Sequence, residues 1–237
     1  MKFKKPLIEG RLIRRYKRFL ADIELNNGAV VTAHTANTGA MSGCSEPGSR
    51  VWLSHSDNPK RKYPLTWELV EVAPGVPCGI NTMQSNKLVR EAIASGNISE
   101  LRGYQNIYSE RRYGKENSRI DLLLEAGSSY NTPPCYVEIK NVTLVQEAVA
   151  YFPDAVSNRA AKHLRELMGV IDNGGRAVIF FCVQRNDCKE VRPAVHIDKV
   201  YAETLKKARQ AGVEALAYRF NVSAEEILLD EKLPVIL

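Results

Sequence analysis

No stretch of this chain approaches the ~20 consecutive apolar residues that a membrane-crossing helix requires, so no membrane partner is expected. The charged start, Met1-Lys2-Phe3-Lys4-Lys5-Pro6, is not followed by an apolar stretch. No secretory signal is therefore expected, and the expected location is cytoplasmic. The 15 Gly and 11 Pro follow no period, which excludes a collagen-like repeat. Cysteine is sparse: Cys44, Cys78, Cys135, Cys182 and Cys188 are odd in number and scattered. Reduced thiols, several of them buried, are expected. Cys182 and Cys188 lack both a second close pair and a neighbouring His, so a zinc site has no support. There is no phosphate-cradling glycine loop and no nucleophile elbow; Gly174-Gly175 reads as the end of a helix.

What is present is ordinary globular composition, 44% hydrophobic and 25% charged over 237 residues, enough for one large domain or two small ones. The net charge of +6 is unevenly placed. Residues 1–80 hold 12 Lys/Arg against 7 Asp/Glu, whereas residues 81–237 hold 21 against 20. A basic module joined to a neutral one suggests a grip on a polyanion, with a merely solvated basic face as the plainer alternative.

The first 75 or so residues read as short strands. Phe19, Ala21, Ile23 and Leu25 share one face, which places Phe19 in the core. Asn26-Asn27-Gly28 is a hairpin turn and Ala29–His34 the returning strand. Val51–His55 and Thr66–Val72 follow, with Trp52 and Trp67 reading as core. Five such strands separated by turns fit an OB-fold barrel. Arg14, Arg15, Lys17 and Arg18 surround Tyr16, the pattern of cations for phosphates beside a ring for a base. Tyr16 and Tyr63 are the rings expected at the surface. Pro74–Gly79 reads as a connector, giving a basic OB-fold over 1–78 and a second domain over 79–237.

The second domain reads as a helix from Asn86 to Ala94, then strands at Tyr104–Glu110, Ser118–Glu125 and Cys135–Leu144. A helix near Ala155–Ile171, a strand Arg176–Val183, a helix Val200–Ala211 and a strand Glu214–Phe220 follow. That order is α/β with a mixed sheet. Asp121 is a lone acid in an apolar strand. Glu138 and Lys140 flank Ile139, so period two puts both charges on one face. If the two strands are neighbours, Asp121 and Glu138 converge on a divalent metal, Mg²⁺ or Mn²⁺, with Lys140 steadying phosphate charge or a water. A buried ion pair between these acids and Lys140 is the alternative. In the helix that follows, Arg159, Lys162 and His163 are placed to touch phosphate, and Asp154 and Ser157 to cap it. Asn37, in the loop Asn37-Thr38-Gly39, and Arg119, beside Asp121, complete the candidate nucleic-acid contacts.

Asp121 followed by Glu138-Ile139-Lys140, between two helices, resembles the PD-(D/E)XK nuclease superfamily. One departure is that the first acid stands in Arg-Ile-Asp rather than Pro-Asp. A fuller likeness runs through His34–Met41, Ser118–Asp121, Val137–Thr143 and the segment from Phe152 to Leu164. Together these resemble the sugar fermentation stimulation protein A family over essentially the whole chain. The resemblance implies an OB-fold joined to a PD-(D/E)XK nuclease-like α/β domain, sequence-independent DNA binding and a regulatory role in maltose use. Three functions stay open on the residues: a DNA-binding regulator whose metal site is unused, an active Mg²⁺-dependent nuclease, and an RNA-binding or RNA-processing protein.

Overall fold

The computed structural model describes residues 1–127 and 132–237. The alternating N-terminal segments form strands β1 (Ile8–Tyr16), β2 (Leu20–Leu25), β3 (Val30–His34), β4 (Arg50–His55), β5 (Leu65–Ala73) and β6 (Val76–Gly79). Their order is β3-β2-β1-β4-β5-β6, and an extra parallel pairing of Ala33 with Leu65 and His34 with Thr66 closes five of them into an OB-like barrel. Asn27 and Gly28 turn β2 into β3, Gly28 at a φ of 81° that costs a glycine nothing. Leu12, Ile23, Val51, Leu53, Trp67 and Val70 fill the barrel. The Trp67 indole donates its only N–H to the Leu69 carbonyl (2.9 Å), so the ring is buried without an orphaned donor.

The second half is built on a six-stranded sheet. Helix α1 (Thr82–Ala94) leads to strands β7 (Asn106–Tyr113), β8 (Ser118–Glu125) and β9 (Cys135–Val142). Short strands β10 (Leu144–Gln146) and β11 (Val149–Phe152) precede helix α2 (Asn158–Asp172). Strands β12 (Arg176–Val183) and β13 (Glu190–Pro193), helix α3 (Lys199–Gln210), and strands β14 (Glu214–Val222) and β15 (Ile227–Leu233) complete the chain. The large sheet runs β15-β14-β12-β9-β8-β7, with β9, β12 and β14 parallel and the rest antiparallel; β10, β11 and β13 form a separate small sheet. Residues of α1 (Leu88, Val89, Ala92, Ile93) cover one face of the large sheet, and α2 and α3 cover the other. Phe180 and Phe181, adjacent on central β12, are fully buried on opposite faces, each contributing roughly 1.5–3 kcal/mol of transfer free energy. No helix among the described residues is long and apolar enough to cross a membrane, and the five cysteines are all free and buried.

Several local expectations are corrected. Phe19 is not core. Lys17 and Arg18 take positive φ (50° and 64°), and this turn carries the ring out of the ladder before β2 begins at Leu20, leaving Phe19 42% exposed. Residues 76–79 are a strand paired with β5 rather than a connector. Helix α1 starts four residues early because Asn81 caps it, its Oδ1 accepting from Met83 N (3.1 Å). Ser157 caps α2, but Asp154 does not; its Oδ2 accepts from the backbone N–H of Met41 (2.8 Å) in the barrel. Strands β10, β11 and β13 are too short to show a period, and β15 has no clean alternation.

Candidate functional site

The paired residues of β8 and β9 are Leu122 with Val137, Leu123 with Tyr136 and Leu124 with Cys135. Continuing that register by one step sets Asp121 opposite Glu138, at the point where the ladder stops. The bond that would extend it is replaced by a side chain: Asp121 Oδ2 accepts from Ile139 N (2.7 Å). On the other edge of β8, the register with β7 sets Asp121 opposite Glu110, which takes a φ of 56°. Alternation breaks there too. Leu122 and Leu124 pack on the α1 side of the sheet, whereas Ile120 packs on the α2 side. The strand thus changes faces at Asp121 while its register with β7 is kept.

Period two holds in β9, so Val137 and Ile139 face α1 while Glu138 and Lys140 face α2. Glu138 is 2% exposed. Its Oε1 accepts from Lys140 Nζ (2.6 Å) and bonds His163 Nδ1, while its Oε2 is buried with no partner among the described residues. Arg159 Nε donates to His163 Nε2 (3.4 Å), which makes Nδ1 the protonated nitrogen that faces Glu138. Asp121 Oδ1 accepts from Asn86 Nδ2 of α1 (3.0 Å).

The electrostatics separate the two acids. Burial, then the neighbouring Glu138 charge, push Asp121 up to about 6, against the pull of the Ile139 N–H, Lys140 and Asn86. Burial also pushes Glu138 up, but Lys140 and His163 outweigh it and hold that carboxyl below its usual value. One acid that ionises late beside one that ionises early is how two close carboxyls behave when their negative charges repel.

These groups line a cleft of about 440 Å³. Asp121, Glu138, Lys140, Arg159 and His163 lie on the sheet-domain side, and Asn37 and Thr38 on the barrel side. Asn37 is 8% exposed; its Oδ1 accepts from Gly39 N (2.9 Å), shaping the loop. Asp154 clamps the same loop through Met41 N. The other candidate contacts lie outside the cleft lining. Arg15 donates from Nη2 to the carbonyls of Arg18, Asn37 and Gly39 (2.7, 3.1 and 2.8 Å). Arg18 donates to the Thr38 carbonyl, and Arg14 pairs with Asp22 (2.9 Å) while lying over the Tyr16 ring. Lys17 is exposed with no partner among the described residues, and Arg119 is exposed on β8. Lys162 donates to the Glu116 carbonyl. Tyr16 and Tyr63, the rings expected outside, are half-buried.

Asn86, Glu110 and Asp154 also line this cleft, though none was among the expected contacts. Asp154 was expected only as a cap of the following helix. A polar network behind the cleft also escaped notice. Gln184, fully buried, donates to Asn141 Oδ1 (2.8 Å) and Ser85 Oγ (3.0 Å), while its carbonyl accepts from Gly79 N (2.9 Å) of the barrel.

The donor set suits a hard divalent cation. Among the described residues no three His, Cys, Asp or Glu side chains gather as a complete cage. Mg²⁺ does not need one, because one or two carboxylates with waters and phosphate oxygens suffice. The unpartnered Oε2 of Glu138, buried next to Asp121, is the observation that fits such an ion.

Comparison with known proteins gives one consistent result. Residues 83–226 match the family model described as the sugar fermentation stimulation protein RE domain, and residues 13–80 match the SfsA N-terminal OB domain. A sugar fermentation stimulation protein homolog of Pelobacter propionicus is 59% identical over 98% of this chain and 98% of its own length. One from Geobacter metallireducens is 56% identical over the whole of both chains. The solved structure of Pyrococcus furiosus SfsA in complex with Ca²⁺ superposes with a TM-score of 0.91 at 27% identity, covering 100% of this chain and 98% of that one.

Proposed function

The chain belongs to the sugar fermentation stimulation protein family, and from that premise we propose that it binds DNA without sequence preference and carries a nuclease-type, divalent-metal phosphodiester site at Asp121, Glu138 and Lys140. The observation that carries this reading is the facing of Asp121 and Glu138 where β8 and β9 part, with Glu138 Oε2 unpartnered. A relative crystallised with Ca²⁺ supports a hard divalent ion, and Mg²⁺ or Mn²⁺ is the ion proposed here. When bound, such an ion supplies Lewis-acid polarisation of a phosphate oxygen and lowers the pKa of a coordinated water. This chain's own residues do the rest. Asp121 and Glu138 hold the ion. Lys140 offers positive charge to a phosphate oxygen. His163, fixed by Arg159, orients Glu138. Arg159 and the Asn37–Thr38 wall position the strand.

A second reading has its own observation. Glu138 Oε1 is already shared by Lys140 and His163, as in a structural ion cluster. On that reading the protein binds DNA, regulates sugar use and turns nothing over. Purified protein incubated with labelled DNA and RNA in Mg²⁺, Mn²⁺ or EDTA decides between them. Metal-dependent cleavage lost in Asp121→Asn and in Glu138→Gln supports the phosphodiester site. Binding without cleavage supports the second reading, and cleavage or binding confined to RNA moves the substrate from DNA to RNA.

A further inference from the structure

Phe19 is the one Phe, Tyr or Trp side chain among the described residues that is exposed; the others are buried or half-buried. Its neighbours are equally particular. The His34 ring lies 6.3 Å away, tilted by 44°, and Thr35 N donates to the Phe19 carbonyl (2.9 Å). Lys17 has no partner among the described residues, Arg18 bonds only the Thr38 carbonyl, and Arg61 bonds only Thr66 Oγ1. Thr66 is paired in register with His34, which brings Arg61 to the same patch. None of these three cations pairs with a carboxylate among the described residues. An exposed ring, a second ring beside it and cations whose charge is not neutralised complement a base with its flanking phosphates.

We propose that the barrel holds an unpaired base of single-stranded nucleic acid on Phe19, with Lys17, Arg18 and Arg61 on its phosphates. The inference rests on the nucleic-acid reading of the cleft and deepens it by naming the strandedness of the ligand. In a duplex the faces of the bases are covered by stacking, so an exposed ring engages only a base that is free. From Thr35, bonded to Phe19, the chain runs within three residues to Asn37 and Thr38, the barrel-side wall of the cleft. A strand resting on Phe19 therefore lies beside the mouth of the site that holds the acid pair.

Fluorescence anisotropy of the full chain in EDTA tests this, using a thymidine single strand, a uridine single strand and duplex DNA of equal length. Phe19→Leu, which keeps apolar bulk without a π-face, is expected to weaken single-strand binding about tenfold and leave duplex affinity unchanged. Phe19→Tyr is expected to retain wild-type affinity. Thermal unfolding confirms that both variants fold. Equal losses on thymidine and uridine strands support a site blind to the sugar; a loss on one alone supports the site and identifies its ligand as DNA or RNA. Unchanged single-strand affinity in Phe19→Leu, or equal weakening of single strands and duplex, overturns the platform while the wild type still binds nucleic acid. A wild type that binds none of the three probes overturns the nucleic-acid reading itself, and the platform with it.

Discussion

The barrel and the sheet domain handle charge in opposite ways. The barrel carries nearly all the positive excess, yet Arg14, Arg15 and Arg18 are bonded to Asp22 and to loop carbonyls. The sheet domain is close to neutral, yet it buries a carboxylate with one oxygen unpartnered among the described residues. Exposed ion pairs are worth only about 0–1 kcal/mol, so Arg14 costs little to place, whereas Arg15 is half-buried and leans on loop carbonyls. A buried charge costs several kcal/mol unless it is compensated. Net charge counts residues; burial decides which of them demand a partner from outside.

The sharpest way to break this contrast is Glu138→Gln. It keeps the shape and removes the charge, so any Mg²⁺-dependent cleavage should fall on the order of a hundredfold or more in a labelled-oligonucleotide assay. Undiminished cleavage would show that the buried charge answers to nothing outside the protein.

Metal-linked stability comes next. Asp121 sits at about 6 in the fold against an ordinary 3.8, so the folded state retains a proton that the unfolded state has lost. Without metal, stability from this group is present at low pH and declines as pH rises from about 4 to about 6, by roughly 2–3 kcal/mol. Mg²⁺ at about a hundred times its Kd should restore about 2.7 kcal/mol near pH 7.5 and much less near pH 5, where a proton competes for the site. Differential scanning calorimetry at both values reads this directly. Asp121→Asn should erase the metal gain and the pH decline together; equal metal shifts at both pH values argue against Asp121 as a ligand.

Gly79→Ala probes the join between the regions. An added Cβ would clash with Gln184 Oε1 and stand 2.9 Å from Gln184 Cβ, and Gln184 is fully buried, so it has no room to yield. A loss of about 1–3 kcal/mol is expected in urea denaturation. The smallest effects separate barrel cations by role. Arg15→Ala should lower stability by about 1–2 kcal/mol by freeing the loop carbonyls. Lys17→Ala should leave stability within about 0.5 kcal/mol but reduce the slope of log affinity against log salt by about 0.9. The reverse assignment would mean that Arg15, not Lys17, meets the phosphate.

Much of the fold was legible because the long elements have clear periods. β8 and β12 match the expected spans residue for residue, and the buried face of α1 is Leu88, Val89, Ala92 and Ile93 as its spacing demands. The meeting of Asp121 with Glu138 followed from two apolar strands, each interrupted by an acid. Phe19 was misread because alternation reports on a ladder and cannot see a left-handed turn that removes a residue from it. The roles of Asn86, Asp154 and Gln184 were invisible for a related reason. Each acts across a long sequence separation, on Asp121, Met41 and Gly79, where local pattern carries no information.

Trp52 and Leu69 belong to barrel strands, yet they pack in the cluster that α1 and the large sheet share. With Gln184 held to Gly79 and Asp154 to Met41, the two halves meet through core as well as through hydrogen bonds. They should unfold in one transition, and neither half is a detachable cassette. The opening between the Asn37 loop and the acid pair then has walls that share one core, so any change in its width would have to be carried by that core.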